Sequence, residues 1–144
     1  MKNPVLVGVQ GDAATFEALF RAAAGRDLRV GWLDLEEECP VPAPLAAAAE
    51  LGAYRSVAAA GRATVATKSR KGPAVLRDLV REHFLGADLV LVRGLDLFPR
   101  LAWVAGSWEL SESASAKRRL DLGQLLARLR RPALRWKAPG PGTA

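Results

Sequence analysis

Residues 5 to 15 have the sequence VLVGVQGDAAT, and this stretch decides the fold class of the 144-residue chain. Val5 to Gln10 is a short apolar run rich in β-branched residues, which is typical of a buried strand. Ala13 to Ala24 follows with large side chains at helical spacing, namely Phe16, Leu19 and Phe20. The glycines between the two segments indicate a tight turn. The chain therefore begins with a strand, a glycine turn and a helix.

This turn keeps part of the spacing of a phosphate-binding loop, G-x-x-x-x-G-K-[ST]. In that pattern backbone N–H groups surround the phosphates, the lysine contacts the β- and γ-phosphates, and the hydroxyl binds Mg²⁺. The candidate loop residues are Gly8, Gly11, Asp12, Ala13, Ala14 and Thr15. Ala13 and Ala14 stand where the pattern has its second glycine and its lysine, and Asp12 adds a negative charge. On these residues alone, an ordinary strand-to-helix turn remains the simpler interpretation.

Strands and helices alternate along most of the chain. Further strands are predicted at Leu28–Leu35, Ala63–Thr67, Asp88–Val92 and Leu101–Ala105. Helices are predicted at Pro44–Leu51, Pro73–Leu85 and Leu120–Leu129, with a short helix after Ser56. Asp88–Val92 is a continuous apolar run, typical of a strand that is buried on both faces of a parallel sheet. The alternation predicts an α/β domain with a mostly parallel sheet, whose ligands bind at the carboxyl ends of the strands.

Length and composition predict one domain, over residues 1–132, and a flexible basic Pro/Gly tail over 133–144. No apolar stretch approaches the roughly 18 residues that cross a bilayer, and no signal sequence is visible, so we expect a cytoplasmic protein. Cys39 and His83 are the only residues of their types. A disulfide within the chain is therefore excluded, a zinc site of cysteine and histidine would need another subunit, and no metal site is predicted.

The positive charge of the chain is concentrated near its C-terminus. The formal net charge is +6, and residues 117–137 carry eight basic side chains against the single acid Asp121. Residues 1–116 are close to neutral. A basic segment of this kind either binds an anionic partner, nucleic acid included, or forms a solvated helix face.

Three segments, in this order, resemble the molybdopterin-guanine dinucleotide biosynthesis protein B (MobB) family of small P-loop GTP-binding proteins. Residues 5–15 resemble its strand and phosphate loop, residues 54–61 its segment Y-R-H-R-x-A-G-A, and residues 87–95 its segment D-L-V-L-V-E-G-F-K. Two departures fall on chemical positions. Ala14 replaces the loop lysine, and Arg93 replaces the acidic residue that the family places near Mg²⁺.

The resemblance implies a P-loop NTPase-like three-layer α/β fold with a degenerate nucleotide site. Positioning and electrostatics supply nearly all the catalysis of phosphoryl transfer, so we expect no meaningful GTPase activity and no enzyme function. A GTP with Mg²⁺ is the candidate ligand, and a homodimer and the guanylyltransferase of the molybdenum cofactor are the candidate partners. Further candidate site residues, for a phosphate of GTP or molybdopterin, are Arg55, Lys68, Arg70, Lys71 and Arg93. An arginine with a structural role is the alternative for Arg93, and a solvated loop for the basic cluster.

Two other function classes stay open at this point. The basic C-terminal segment is compatible with a nucleic-acid-binding module, in which Trp136, between two basic residues, would stack on a base. Trp32 and Trp103 lie in predicted strands and are expected in the core. The acidic run Asp34 to Glu38 could hold a divalent cation for an unrelated enzyme. No nucleophile or general base accompanies that run, and His83 is expected at the surface.

Overall fold

The computed structural model describes residues 2–36, 41–68, 72–73 and 75–137. The chain divides into two compact units, a larger one of residues 1–37 and 76–144 and a smaller one of residues 38–75. The sequence predicts one domain over residues 1–132 and a tail over 133–144, and this organisation stays a prediction.

The described residues form eight strands, four helices and two short 3-10 turns. The strands are β1 Val5–Val9, β2 Val30–Asp34, β3 Arg55–Ala60, β4 Ala63–Lys68, β5 Leu89–Arg93, β6 Arg100–Val104, β7 Ser107–Ser111 and β8 Lys117–Leu120. The helices are α1 Glu17–Ala24, α2 Ala43–Glu50, α3 Leu76–His83 and α4 Leu122–Leu129. The 3-10 turns are Ala13–Phe16 and Pro132–Leu134.

A six-stranded sheet forms the centre of the larger unit, in the order β2-β5-β1-β6-β7-β8. The pairs β2·β5, β5·β1 and β1·β6 are parallel, whereas β7 and β8 complete the sheet in antiparallel pairs. The predicted mixed α/β architecture with a mostly parallel central sheet is confirmed. The predicted strands at residues 5–10, 28–35, 88–92 and 101–105 correspond to β1, β2, β5 and β6.

The central strands bury both of their faces. Val7 and Leu91 belong to a core cluster that includes Phe16, Leu19 and Ala23 at α1 and Leu125, Leu126 and Leu129 of α4. Leu6 and Val90 belong to a second cluster that includes Val80 of α3. Successive residues of a strand point to opposite faces, so both clusters draw on the same two strands. This two-sided burial explains why β1 and β5 are uninterrupted apolar runs.

The β6–β7 hairpin and strand β8 are absent from the sequence prediction. Ala105 and Gly106 form the two-residue hairpin turn with φ of 49° and 80°. A pair of left-handed residues fits a two-residue hairpin, but the usual Asn-Gly or Asp-Gly signal is missing. The sequence predicts a helix that begins at Leu120, whereas Leu120 ends β8 and α4 begins at Leu122. Asp121 caps this helix, since its carboxylate accepts a hydrogen bond from the Gln124 backbone N–H.

The smaller unit contains α2 and an antiparallel hairpin. The short helix predicted after Ser56 is wrong, because these residues form β3, which pairs with β4 from Arg55 opposite Lys68 to Ala60 opposite Ala63. Gly61, at φ 59°, begins the two-residue turn between them. Alanine favours a helix by about 0.5 kcal/mol per residue over β-branched residues. The regular ladder to β4 outweighs that weak preference.

The tryptophans differ from expectation in two places. Trp108, not Trp103, is the tryptophan of the hairpin that enters the core: Trp108 is 4% exposed and Trp103 is 51% exposed. Strand β1 pairs with β6 only as far as Leu101, so the end of β6 projects beyond the strand beside it. The expected core position of Trp103 is therefore wrong, whereas Trp32 packs against the first cluster as expected.

The C-terminal segment is attached to the sheet as far as it is described. The Trp136 backbone N–H donates to the Pro4 carbonyl oxygen at 2.9 Å, and Asn3 Nδ2 donates to the Trp136 carbonyl oxygen at 3.0 Å. The Trp136 side chain packs against the second core cluster. The C-terminal segment therefore has tertiary contacts as far as Trp136, and residues 138–144 lie outside the described part. Among the described helices, none has the length and apolar character to cross a membrane.

Candidate functional site

The carboxyl ends of β1, β2 and β5 meet at one edge of the sheet, where the sequence predicts the site. The register places Asp34, Arg93 and Val9 side by side in one row across the three strands. Because the strands are parallel, the segments that follow them also gather at this edge. The row therefore joins the candidate loop to the acidic segment after β2.

The candidate phosphate loop is shorter in the structure than its sequence pattern suggests. Strand β1 continues to Val9, and the 3-10 turn begins at Ala13, so only residues 10–12 lie between them. The Gly8 N–H donates to the Pro99 carbonyl oxygen at 2.9 Å, within the sheet. One of the backbone donors that the pattern assigns to a phosphate is thus engaged elsewhere.

Both glycines of the loop have a structural reason to be glycine. A Cβ atom on Gly8 would lie 2.9 Å from the Leu97 carbonyl oxygen, closer than a real side chain allows. Gly11 has a φ of 97°, a left-handed conformation that side chains other than glycine rarely adopt. The ordinary strand-to-helix turn that the sequence left open accounts for both residues.

Asp12 places a carboxylate at the start of the 3-10 turn. Its Oδ1 lies 3.4 Å from both the Thr15 backbone nitrogen and the Thr15 Oγ1, and accepts hydrogen bonds from both. A carboxylate at a helix N-terminus is stabilised by the N–H groups that would otherwise bind an external anion. Ala13 and Ala14 follow at exposed positions and supply no charge. The charge that residues 12–15 bring to the start of this turn is therefore that of the Asp12 carboxylate alone.

Arg93 is held by acidic neighbours on β2 and just after it. Its Nη1 lies 3.2 Å from Asp34 Oδ2, and its Nε lies 3.9 Å from Glu36 Oε1. The other Asp34 oxygen, Oδ1, accepts a hydrogen bond from the Glu36 backbone N–H at 3.0 Å. The Arg93 guanidinium is therefore paired with two carboxylates.

A pocket of about 400 Å³ lies at the same edge. Its lining consists of Val9, Gln10, Glu36, Gly94, Leu95, Asp96 and Arg100. Arg100 forms an ion pair with Asp96, and the remaining charged residue of the lining, Glu36, lies 3.9 Å from Arg93 Nε. The lining therefore holds no cation without an acidic partner.

The remaining predicted site residues belong to the smaller unit. Arg55 and Lys68 are exposed and lie opposite each other at the open end of the β3–β4 hairpin. Arg55 also lies over the ring of Tyr54, with 5.9 Å from its Cζ to the ring centroid. Arg70 and Lys71 lie outside the described residues, and so do Glu37, Glu38 and Cys39. Within the described ranges, no group of three or more metal-ligating side chains occurs.

A charged pair between the end of β7 and α4 has no counterpart in the sequence prediction. Arg128 donates from Nε to Glu112 Oε1 and from Nη2 to Oε2, the second bond at 2.9 Å. This two-point hydrogen bonding lowers the pKa of Glu112 and raises the pKa of Arg128. Sixteen residues separate the partners, so no local spacing reveals the pair.

An apolar pocket of about 700 Å³ beside the hairpin is also absent from the sequence prediction. Trp103, Trp108, Leu120, Leu122 and Ala18 supply its apolar walls. The two indole rings meet edge to face, with centroids 4.7 Å apart. Trp103 and Trp108 lie opposite each other across the hairpin whose turn is Ala105–Gly106. Once the hairpin is recognised, this spacing predicts that the two rings meet.

Comparison with known proteins finds similar solved structures. No protein-family model matches the chain, and neither does any curated protein. Two solved structures of Bacillus subtilis MobB are similar to it, at 18% and 19% identity with TM-scores of 0.44 and 0.46. Each match covers 67% of this chain, which spans 62% and 65% of the two MobB chains, less than two thirds of their length.

Proposed function

We propose that this chain is a MobB-like accessory protein of molybdenum cofactor biosynthesis that acts by binding a partner and does not hydrolyse GTP. The observation that carries the second half of the proposal is the Asp12 carboxylate at the start of the 3-10 turn. The three sequence segments at residues 5–15, 54–61 and 87–95 support the first half.

The charges around the loop favour a protein that does not hydrolyse nucleotide. A phosphate charge about 4 Å from the Asp12 carboxylate would be repelled by about 1 kcal/mol in water and about 4 kcal/mol near a protein surface. The helix dipole stabilises an anion by only about 0.3–1 kcal/mol. The loop has no lysine to supply the difference, and Arg93 is already paired with Asp34. Phosphoryl transfer depends on such charges, so the site lacks the means to stabilise its transition state.

The family resemblance also implies a fold type, a cellular location and partners for this chain. The two core clusters on opposite faces of the sheet support a P-loop NTPase-like three-layer arrangement. In this proposal the chain is a cytoplasmic homodimer that associates with the guanylyltransferase of the molybdenum cofactor. Any binding of GTP with Mg²⁺ or of molybdopterin is weak and secondary to that association.

Calorimetry with GTP and with GDP, with and without Mg²⁺, tests the nucleotide half of the proposal. We expect no Mg²⁺-dependent binding at micromolar affinity and no phosphate release. Micromolar, Mg²⁺-dependent binding of GTP by the unaltered protein would contradict the proposal. In the triple variant Asp12→Asn, Ala13→Gly, Ala14→Lys, GTP binding should become stronger. The matched control is Asp121→Asn, which removes the equivalent charge at the start of α4 and should leave GTP binding unchanged.

Copurification with the guanylyltransferase tests the partner half. We expect the tagged chain to retain the purified guanylyltransferase in buffer without nucleotide. Retention that appears only with added GTP, or no retention at all, would contradict an accessory role that is independent of nucleotide.

A nucleic-acid-binding module is the second candidate function, since Lys117, Arg118 and Arg119 are consecutive and exposed. The half-buried position of Trp136 against the second cluster speaks against its stacking on a base. Titration with a short DNA duplex at two salt concentrations tests this candidate, because affinity from phosphate contacts falls steeply with salt. Salt-sensitive binding that the variant Lys117→Glu, Arg118→Glu, Arg119→Glu abolishes would favour it.

A further inference from the structure

Strand β8 forms one edge of the six-stranded sheet. Among the described strands it pairs only with β7, and its outer side carries backbone groups that no other described strand contacts. Lys117, Arg118 and Arg119 of this strand are exposed. An edge of this kind is a template on which a further strand can pair.

The side chains of β8 alternate between the two faces of the sheet. Leu120 lies opposite Trp108, and Arg118 opposite Leu110, on the face of the first core cluster. Arg119 lies opposite Glu109, so it occupies the other face together with Lys117. The edge therefore presents positive charge on both faces and one apolar side chain at its end.

Around this edge the basic side chains outnumber the acidic ones by one, since Lys117, Arg118, Arg119 and Arg128 occur together with Glu109, Glu112 and Asp121. Glu112 interacts electrostatically with Arg118, but its two carboxylate oxygens are bound by Arg128. Arg119 donates one bond, at 3.3 Å, to the neutral Ser107 hydroxyl. Among the described residues, neither Lys117 nor Arg118 forms an ion pair.

We propose that the edge of β8 binds an extended acidic segment of a partner protein, which adds to the sheet as a seventh strand. Three consecutive acidic residues would lie opposite Arg119, Arg118 and Lys117, and an apolar residue opposite Leu120. Backbone hydrogen bonds supply affinity in this mode of recognition, and the side chains opposite each other supply selectivity. The inference rests on the proposed accessory role, because it names the surface through which association takes place.

Two other occupants fit the edge less well. Nucleic acid would bind to the basic side chains of β8 but would leave the backbone N–H and C=O groups of its outer side unpaired. A second copy of this chain has a matching sequence at residues 35–38, Leu-Glu-Glu-Glu. In the folded chain, however, Leu35 packs against the second core cluster and Glu36 faces Arg93, so the first half of that segment is already engaged.

A short labelled peptide with the central sequence Leu-Glu-Glu-Glu between threonine and valine residues tests the proposal by fluorescence anisotropy. We expect binding to the full chain and at least about tenfold weaker binding to Lys117→Glu, Arg118→Glu, Arg119→Glu, because three favourable cross-strand charge pairs become repulsive. The matched control is Arg130→Glu, Arg131→Glu, Lys137→Glu. It changes the net charge of the chain by the same amount at exposed positions outside the strand and should lose far less affinity.

N-methylated peptides test whether the contact is a strand pairing. Methyl groups on alternate amides block backbone hydrogen bonds on one edge of the peptide while the charges stay the same. One of the two alternate sets should abolish binding and the other should have little effect. The proposal would be overturned if both peptides bound equally or if both charge variants lost the same affinity. It would also be overturned if single-stranded DNA bound with the same dependence on Lys117, Arg118 and Arg119. Concentration-dependent self-association that the peptide inhibits would also overturn it, because a second copy would then be the occupant.

The experiments distinguish failure of this inference from failure of the proposed function. If the triple variant of β8 still retains the guanylyltransferase but no longer binds the peptide, the edge is not the docking surface and the accessory role stands. If it loses both, the edge and the accessory role are supported together.

Discussion

Single residues of the loop show how the same sequence pattern can serve structure in place of ligand binding. Gly8 and Gly11 occupy the spacing of a phosphate loop, yet one is required by the close approach of Leu97 and the other by its positive φ. Asp12 completes the turn with its own carboxylate. Part of the glycine spacing of a phosphate loop is present, whereas Ala14 stands at the position of its lysine.

Replacement of Gly8 tests the structural role of that glycine. Gly8→Ala should lower the free energy of unfolding by about 1–3 kcal/mol, because the added Cβ would overlap the Leu97 backbone. Urea denaturation measures this change. Gly25→Ala is the matched control, since Gly25 has a φ of −65° and an added Cβ would meet nothing closer than 3.6 Å. Equal stability of the two variants would show that the segment around Leu97 can move away.

The Glu112–Arg128 pair should make stability depend on pH in the acid range. Arg128 lowers the pKa of Glu112 in the folded protein, so the pair stabilises the fold above the unfolded-state pKa of about 4.3. This contribution is lost as pH falls through the lower folded-state pKa. Glu112→Gln should be less stable than the unaltered protein at pH 7, and the difference should shrink below about pH 4. Chemical denaturation across this pH range measures it.

Glu109→Gln is the control for the Glu112 experiment. Glu109 lies on the same strand, β7, and forms no ion pair among the described residues. Its replacement should leave the acid dependence as it is in the unaltered protein. A loss of the same size in both variants would attribute the effect to the general charge of the chain.

At the scale of elements, local signals predicted those strands and helices whose periodicity is strong. Strand β5 is an unbroken apolar run, and α1 has its apolar side chains at helical spacing. Strand β8 has no such signal, since Lys117, Arg118 and Arg119 precede its one apolar residue, and half of the residues of β3 are alanine. β8 forms a strand because it pairs with β7, and β3 forms a strand because it pairs with β4. A local sequence pattern does not reveal these partners.

The start of α4 depends on a reciprocal pair of hydrogen bonds. Asp121 Oδ1 accepts from the Gln124 N–H at 2.8 Å, and Gln124 Oε1 accepts from the Asp121 N–H at 3.0 Å. Asp121→Ala should therefore lower the free energy of unfolding by about 1 kcal/mol. Thermal denaturation followed by circular dichroism measures the loss. Asp12→Ala should cost less, because the bonds of Asp12 are longer, at 3.4 Å; the reverse order would be evidence against this assignment.

At the scale of the molecule, the sheet of the larger unit joins distant parts of the chain. Strands β1 and β5 are neighbours in space although more than 80 residues separate their starts, and the segment after the second 3-10 turn reaches back toward the first strand. Trp136 connects the C-terminal segment to the start of β1 through Pro4 and Asn3. The C-terminal segment is attached to the rest of the unit as far as Trp136.

Removal of the Trp136 ring tests that attachment. Trp136→Ala should lower the free energy of unfolding by about 1–3 kcal/mol, because a half-buried ring leaves the second core cluster. Trp103→Ala is the matched control, with a smaller expected loss because Trp103 is 51% exposed. Urea denaturation of both variants gives the comparison. A larger loss for Trp103 would show that its edge contact with Trp108 matters more than burial indicates.

The sequence by itself determined the opening strand, turn and helix, the mostly parallel α/β architecture and the edge of the sheet at which a site would lie. Hydrophobic periodicity is local, so it is visible without coordinates. Only the tertiary structure decided what the candidate residues contact. Asp34 and Arg93 are 59 residues apart and meet because β2 and β5 pair, and Gly8 must be glycine because a segment almost 90 residues later crosses it. Contacts between residues so far apart depend on how the whole chain packs, and they turn a phosphate-loop pattern into a turn that carries its own anion.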